Sequence, residues 1–177
     1  MIGIQITELK DFMGKLLKSD CFNSFLLEEA NITGAATYHI DGRINKDFFL
    51  ADDPAYTALA HYEFMPWNQI SPFCFDLIKG KRTPLGFKFV LHYMPEHLDA
   101  LLAAHAELTD NIQTSLPPSQ SMSVKAAVLT IKYNGTAITI TTGISYLTFV
   151  LDQTADKLWD SHVISFLEQK GIAYSLK

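Results

Sequence analysis

Two cysteines in 177 residues, Cys21 and Cys74, are too few for a disulfide framework. Both sit in apolar surroundings, which predicts buried free thiols in a reducing compartment. No stretch reaches the ~18 apolar residues that a membrane helix needs. The opening "MIGIQITELKDFMG" lacks the basic and apolar regions of a secretion signal, so a cytoplasmic protein is expected. Positive charge is also scarce. Fourteen Lys and Arg stand against 19 Asp and Glu, a formal charge of -5. A general nucleic-acid binder needs a basic face to displace phosphate counterions, and this balance argues against one. The glycine patterns of dinucleotide-binding and phosphate-binding loops are missing, and "GISYL" is not a G-x-S-x-G nucleophile elbow. Histidines are not spaced as metal ligands. His92 and His97 straddle Pro95, His105 lies on an apolar stripe, and no Cys-x-x-Cys pair is present. Neither metal nor cofactor is expected.

What is there suffices for a core. Hydrophobic residues make up 48% of the chain and aromatic ones 12%. The length suits one domain, 1–177, or two packed halves, 1–83 and 84–177. Ile2, Ile4 and Ile6 alternate as in a strand. Thr7 would cap a helix with Leu9, Phe12, Met13, Leu16 and Leu17 on one face. "FLLEEANITGAATYHIDGRI" predicts two strands turning near Thr33 and Gly34. Asp53-Pro54 marks a helix start, and Ser71-Pro72 repeats that signal before residues 73–79. "FKFVLHYM" predicts a strand, and 96–108 a helix on Leu98, Leu101, Leu102 and Leu108. Residues 109–123, with "LPPSQSMS", read as a loop and a candidate lid.

The strongest local signal is Asn134-Gly135, the preferred pair of a two-residue hairpin. That loop would set Tyr133 opposite Thr136, Ile131 opposite Ile138, Leu129 opposite Ile140 and Thr130 opposite Thr139. "SYLTFVL" would add a third strand. Thr154 would cap a last helix with Leu158, Trp159, Val163, Phe166 and Leu167 inward, ended by Gly171. "WNQISPFCFDLIKG" and "WDSHVISFLEQKG" share a Trp, a late Phe and a terminal Lys-Gly. They suggest a duplicated strand-helix-strand-strand-helix unit whose first copy ends in a helix starting near Trp67. The expected class is α+β, a mainly antiparallel sheet with helices packed on it.

"TYHIDGRINKDFF", "PFCFDLIKGKRTPLGFKFVL" and "TTGISYLTFVLD" followed by "WD" together resemble a family of uncharacterised proteins, a domain of unknown function from anaerobic Gram-positive bacteria. The resemblance covers nearly the whole chain. It implies a bacterial cytoplasmic protein and carries no activity, ligand or catalytic residue with it.

Two clusters could carry chemistry. In "IKGKRTP", Lys79, Lys81 and Arg82 suit helix termination, because cations favour a helix C-terminus and Gly80 then Pro84 would stop the helix. They also suit an anion site, with Arg82 as a bidentate donor and the two lysines as point charges. On a strand, Thr37, His39, Asp41 and Arg43 share one face, either as a solvated surface or as an acid-base row. Tyr38, Tyr56, Tyr62, Phe64, Trp67 and Tyr93 are core or pocket lining. Cys74, buried among Phe73, Phe75 and Leu77, should be a silent thiol. Three functions follow: a module binding a small molecule or a protein, an enzyme using His39, Asp41 and Arg43, or a clamp-like nucleic-acid-associated protein using Lys79, Lys81 and Arg82. The first is preferred. A homodimer through an exposed sheet face is compatible with this apolar composition.

Overall fold

Strands whose apolar residues alternate must turn the same side to one core, and here they do so within one sheet. A computed structural model describes residues 1–50, 52–110, 124–149 and 151–177, with the backbone alone for 106–110. The strands are β1 (Gly3–Ile6), β2 (Phe25–Thr33), β3 (Thr37–Asp41), β4 (Met65–Pro66), β5 (Gly86–Tyr93), β6 (Val124–Tyr133), β7 (Ile138–Tyr146) and β8 (Tyr174–Leu176). The helices are α1 (Leu9–Lys18), α2 (Pro54–Leu59), α3 (Trp67–Ile78), α4 (Pro95–Asp110) and α5 (Thr154–Gln169). The sheet runs β3-β2-β5-β6-β7-β1-β8, and β4 pairs with the first part of β2 where β3 has ended. Each of these pairings is antiparallel, so the fold is α+β as expected.

One face of the sheet is fully covered. Ile4, Ile6, Phe25, Leu27, Ala30, Ile32, Phe87, Phe89, Leu91, Leu129, Ile131, Ile138 and Ile140 form it, and α1, α3 and α5 seal it with Phe12, Leu16, Trp67, Cys74, Trp159, Val163 and Leu167. Leu98 brings α4 into the same core, while the Leu108 side chain lies outside the described residues. Two indoles fasten helices to backbone. Trp67 Nε1 donates to the Leu16 carbonyl at 2.8 Å, and Trp159 Nε1 to the Val128 carbonyl at 3.1 Å. The opposite face is polar in its middle, where His39, Asn31, Lys88, Lys132 and Thr139 fall in one row.

Several local expectations need correction. Glu8, not Thr7, occupies the N-cap position of α1 and makes no side-chain cap bond, while the Thr7 N–H donates to the Ala173 carbonyl at 3.1 Å. α3 starts at Trp67, as the comparison of the two Trp-containing segments expects, and runs through Pro72 instead of starting at the Ser71-Pro72 signal. The carbonyl that Pro72 leaves without an intrahelical donor belongs to Asn68, an exposed residue open to water. The β6–β7 hairpin pairs Tyr133 with Ile138, Ile131 with Ile140, Leu129 with Thr142 and Thr130 with Thr141. That register is two residues from the expected one. The cause is the Asn134 side chain, whose Oδ1 accepts from the Thr136 N–H at 3.1 Å and the Ala137 N–H at 2.9 Å and so opens a four-residue loop. Gly135 supplies the positive φ of +92° that this loop needs. A shift of two keeps every side chain on its expected face.

"SYLTFVL" forms no further strand among its described residues. β7 ends at Tyr146, and Leu147, Phe149 and Leu151 are exposed. The strand beside β7 is β1. At the start of α5, Thr154 does not cap the helix. Asp152 does the local work, accepting from the Thr154 N–H at 3.2 Å and its hydroxyl at 2.8 Å. The sheet does not repeat strand for strand. β5 pairs with β6, whereas β1, their counterpart at the start of the chain, pairs with β7 and β8 and not with β2. Of the candidate lid, 109–123, the first two residues belong to α4 instead of a loop, and 111–123 lie outside the described residues. No helix among the described residues is long and apolar enough to cross a membrane.

Candidate functional site

α1 and α3 run antiparallel on the covered face. Their far ends are tied where Trp67, the first residue of α3, reaches Leu16 in the last turn of α1, and Lys18 lies 5.0 Å from the ring centroid of Phe75, one turn short of the cleft. The near ends part. Leu9, Lys10 and Met13 of α1 form one wall, and Ile78, Lys79, Gly80, Arg82, Thr83 and Pro84 form the other. The floor is the last row of the sheet, Phe87, Tyr133 and Ile138, with the Phe87 and Tyr133 rings stacked at 5.3 Å. The result is a cleft of about 480 Å³, within the ~300–1,000 Å³ range of small-molecule sites. Its floor and one helix face are apolar, and its rim is basic.

The basic segment is held in place at both ends. The Lys79 N–H donates to the Phe75 carbonyl at 2.7 Å, closing α3, and the Leu85 N–H donates to the Thr33 carbonyl at 2.8 Å, docking the segment beside β2. Between these anchors the side chains diverge. Lys79 and Arg82 line the cleft and Lys81 does not. The Lys79 ammonium pairs with Asp76 at 2.7 Å and lies over the Phe75 ring, so it also finishes the helix. Arg82 has no ion pair among the described residues. Lys10, distant in sequence, is the cation that sequence reasoning missed. It sits on the first turn of an amphipathic helix, and nothing local marks it as facing an arginine.

His39, Asp41 and Arg43 take separate partners. His39 Nδ1 is 2.8 Å from Asn31 Oδ1, Asp41 Oδ1 accepts from the Arg43 N–H at 2.9 Å, and the Arg43 guanidinium lies 3.7 Å from Glu63 and over the Phe64 ring. All three are exposed, and His39 stands on the sheet face opposite the cleft. Asn31 bridges His39 to Glu29, which also holds Lys88 at 3.2 Å. That lysine lowers the Glu29 pKa against the opposing effect of burial. Arg43 lines a hollow with Lys46, His61 and Tyr62.

A second cavity, about 460 Å³, went unnoticed in the sequence. It lies between the α1–β2 loop, the start of α4 and the exposed side of α5, and Cys21, Tyr93, His97, His162 and Phe166 line it. His162 stacks on Trp159 and stands 3.1 Å from the Tyr93 hydroxyl. Burial lowers its pKa, and the charge of His97 adds to the effect. Cys21 is half-buried there, not fully buried as expected, whereas Cys74 is fully buried and its thiol is pushed up to about 12. Both are free thiols. Among the described residues no group of three His, Cys, Asp or Glu side chains is placed to hold a metal ion.

No curated protein and no solved structure matches the chain. The model of DUF5721, a family of unknown function, matches residues 15–175 of the 177, and the chain belongs to that family.

Proposed function

We propose that this protein is a binding module whose ligand has an apolar body and an anionic head. One observation carries the reading: an apolar cleft of about 480 Å³ has Lys10, Lys79 and Arg82 on its rim, in a chain with a formal charge of -5. Apolar lining with a few polar groups to fix orientation is the usual composition of a ligand site. An arginine without a carboxylate partner among the described residues adds a recognition element that helix termination does not use. Of the six residues singled out from the sequence, this reading uses Lys79 and Arg82. We take the setting to be the cytoplasm, for which the two free thiols speak.

The test is a fluorescence titration with 8-anilinonaphthalene-1-sulfonate, an aromatic body with one fixed negative charge. A single saturable site is expected. Met13→Trp, which fills the cleft from the α1 wall, and Arg82→Glu, which reverses the rim charge, should each weaken it with the circular dichroism unchanged. A saturable signal indifferent to both variants, or no saturable signal at all, refutes the reading. The variants matter because exposed Phe149 and Leu151 also offer apolar surface to this dye.

A further inference from the structure

The charges around the cleft indicate which anion it suits, an inference that rests on the reading of the cleft as a ligand site. Three cations line it: Lys10, Lys79 and Arg82. Lys79 is already neutralised by Asp76 at 2.7 Å. On α1, Lys10 also borders a neighbouring hollow with Glu8 and Asp11; Asp11 pairs with Lys15 at 2.7 Å, and neither carboxylate lines the cleft. Lys81 also lies outside it, and no histidine is among the described lining residues. The helix ends offset one another, because the first turn of α1 and the last turn of α3 face the same space with opposite partial charges. Two cations remain without an ion pair among the described residues, Lys10 and Arg82.

A carboxylate or sulfonate carries one charge and neutralises only one of those two cations. A phosphate monoester carries about −1.5 to −2 at neutral pH and offers three acceptor oxygens. The planar guanidinium of Arg82 suits two of them, and the Lys10 ammonium acts as a point charge on the third. The ester's organic part then lies over Phe87, Tyr133 and Ile138, beside Leu9 and Met13. We propose that the ligand is a phosphate monoester of an apolar group, alkyl or aryl, with its phosphate at Lys10 and Arg82. Soluble esters and phosphatidic acid share this head, and the experiment separates the two sources.

The experiment is calorimetric titration of the full chain with 1-naphthyl phosphate, 1-naphthalenesulfonate and 1-naphthol, three probes with one body and different heads. At a pH of about 7.5 the phosphate should bind roughly fivefold more tightly than the sulfonate. That advantage should shrink at a pH of about 5.5, because the second phosphate pKa is near 6. Lys10→Gln and Arg82→Gln should each reduce it, and the double variant should abolish it. Equal binding of phosphate and sulfonate, or a preference that survives the double variant, overturns the phosphate assignment and leaves the cleft as a binding site. Failure of all three probes to bind overturns the cleft reading itself. Phosphatidylcholine vesicles with and without phosphatidic acid are sedimented in parallel. Recovery with the phosphatidic acid vesicles alone assigns the head to a lipid. Binding of the naphthyl ester without vesicle recovery assigns it to a soluble ester.

Discussion

Replacing Trp67 by Phe tests how the cleft is held. The last four carbonyls of α1, at 15–18, have no partner within the helix. Ser19 takes the carbonyl of Lys15 at 2.6 Å, and the Trp67 indole takes that of Leu16 at 2.8 Å. Trp67 is 1% exposed, so water does not replace the lost donor. Leaving the buried carbonyl unsatisfied costs about 1–3 kcal/mol. Shrinking the ring where it packs on Phe89 adds about 1 kcal/mol of lost burial. The sum, about 2–4 kcal/mol, lowers Tm by roughly 5–15 °C in a chain of this length. Calorimetry measures that shift. Because the tie sits at the closed end of the two helices that wall the cleft, binding of the naphthalene probe should weaken as well. Trp159→Phe is the control. It breaks a comparable bond, to Val128 at 3.1 Å, between α5 and β6, away from the cleft. A Trp67→Phe protein that melts within about 1 °C of the parent, or a Trp159→Phe protein that loses the probe equally, refutes the reasoning.

Two further outcomes follow from the second cavity and the buried thiol. Burial lowers the His162 pKa, with His97 adding to it, so the folded state holds its proton less tightly than the unfolded chain does. Protons therefore bind preferentially to the unfolded state below the ordinary histidine value of about 6.5. Thermal stability should fall between pH of about 7 and about 5, and His162→Gln should flatten that fall; an unchanged slope in the variant shows that His162 is not its source. The thiols should differ in reactivity. Cys74, its pKa pushed up to about 12 in the core, should resist iodoacetamide in the native protein, while half-buried Cys21 is alkylated. Mass spectrometry of the labelled peptides checks this, and early labelling at Cys74 would show the core around it to be open.

Features set by neighbouring residues were legible in the sequence, and features set by distant ones were not. The alternation of Ile2, Ile4 and Ile6 and the helical stripe of Phe12, Leu16 and Leu17 give strand and helix directly, since each period fixes a face. Parity survived even where register did not. Asn134 opens the hairpin loop by two residues, so Ile131 meets Ile140 instead of Ile138, yet both remain on the covered face. Leu147, Phe149 and Leu151 show the opposite failure. Their pattern is that of a strand, but among the described residues no strand pairs with them, and an apolar period does not state whether a partner exists.

The cleft combines both situations. Lys79 and Arg82 stand out because they interrupt an apolar run, and the same interruption explains Lys79 as the end of α3. In the proposed reading, helix punctuation becomes a recognition surface through Lys10, which the packing of α1 beside α3 sets on the lining of the same cleft as Arg82. A cation near an α-helix C-terminus already has a structural use, so its presence says little about a ligand. A second cation, on a different helix and facing the same apolar floor, has no such use. Lys10 and Arg82 line one cleft with no ion pair to either among the described residues, so an anion bound there would offset their mutual repulsion. By this argument, salt should affect the empty protein and its complex in opposite directions: screening should slightly raise the Tm of the empty protein and weaken binding of the anionic probe.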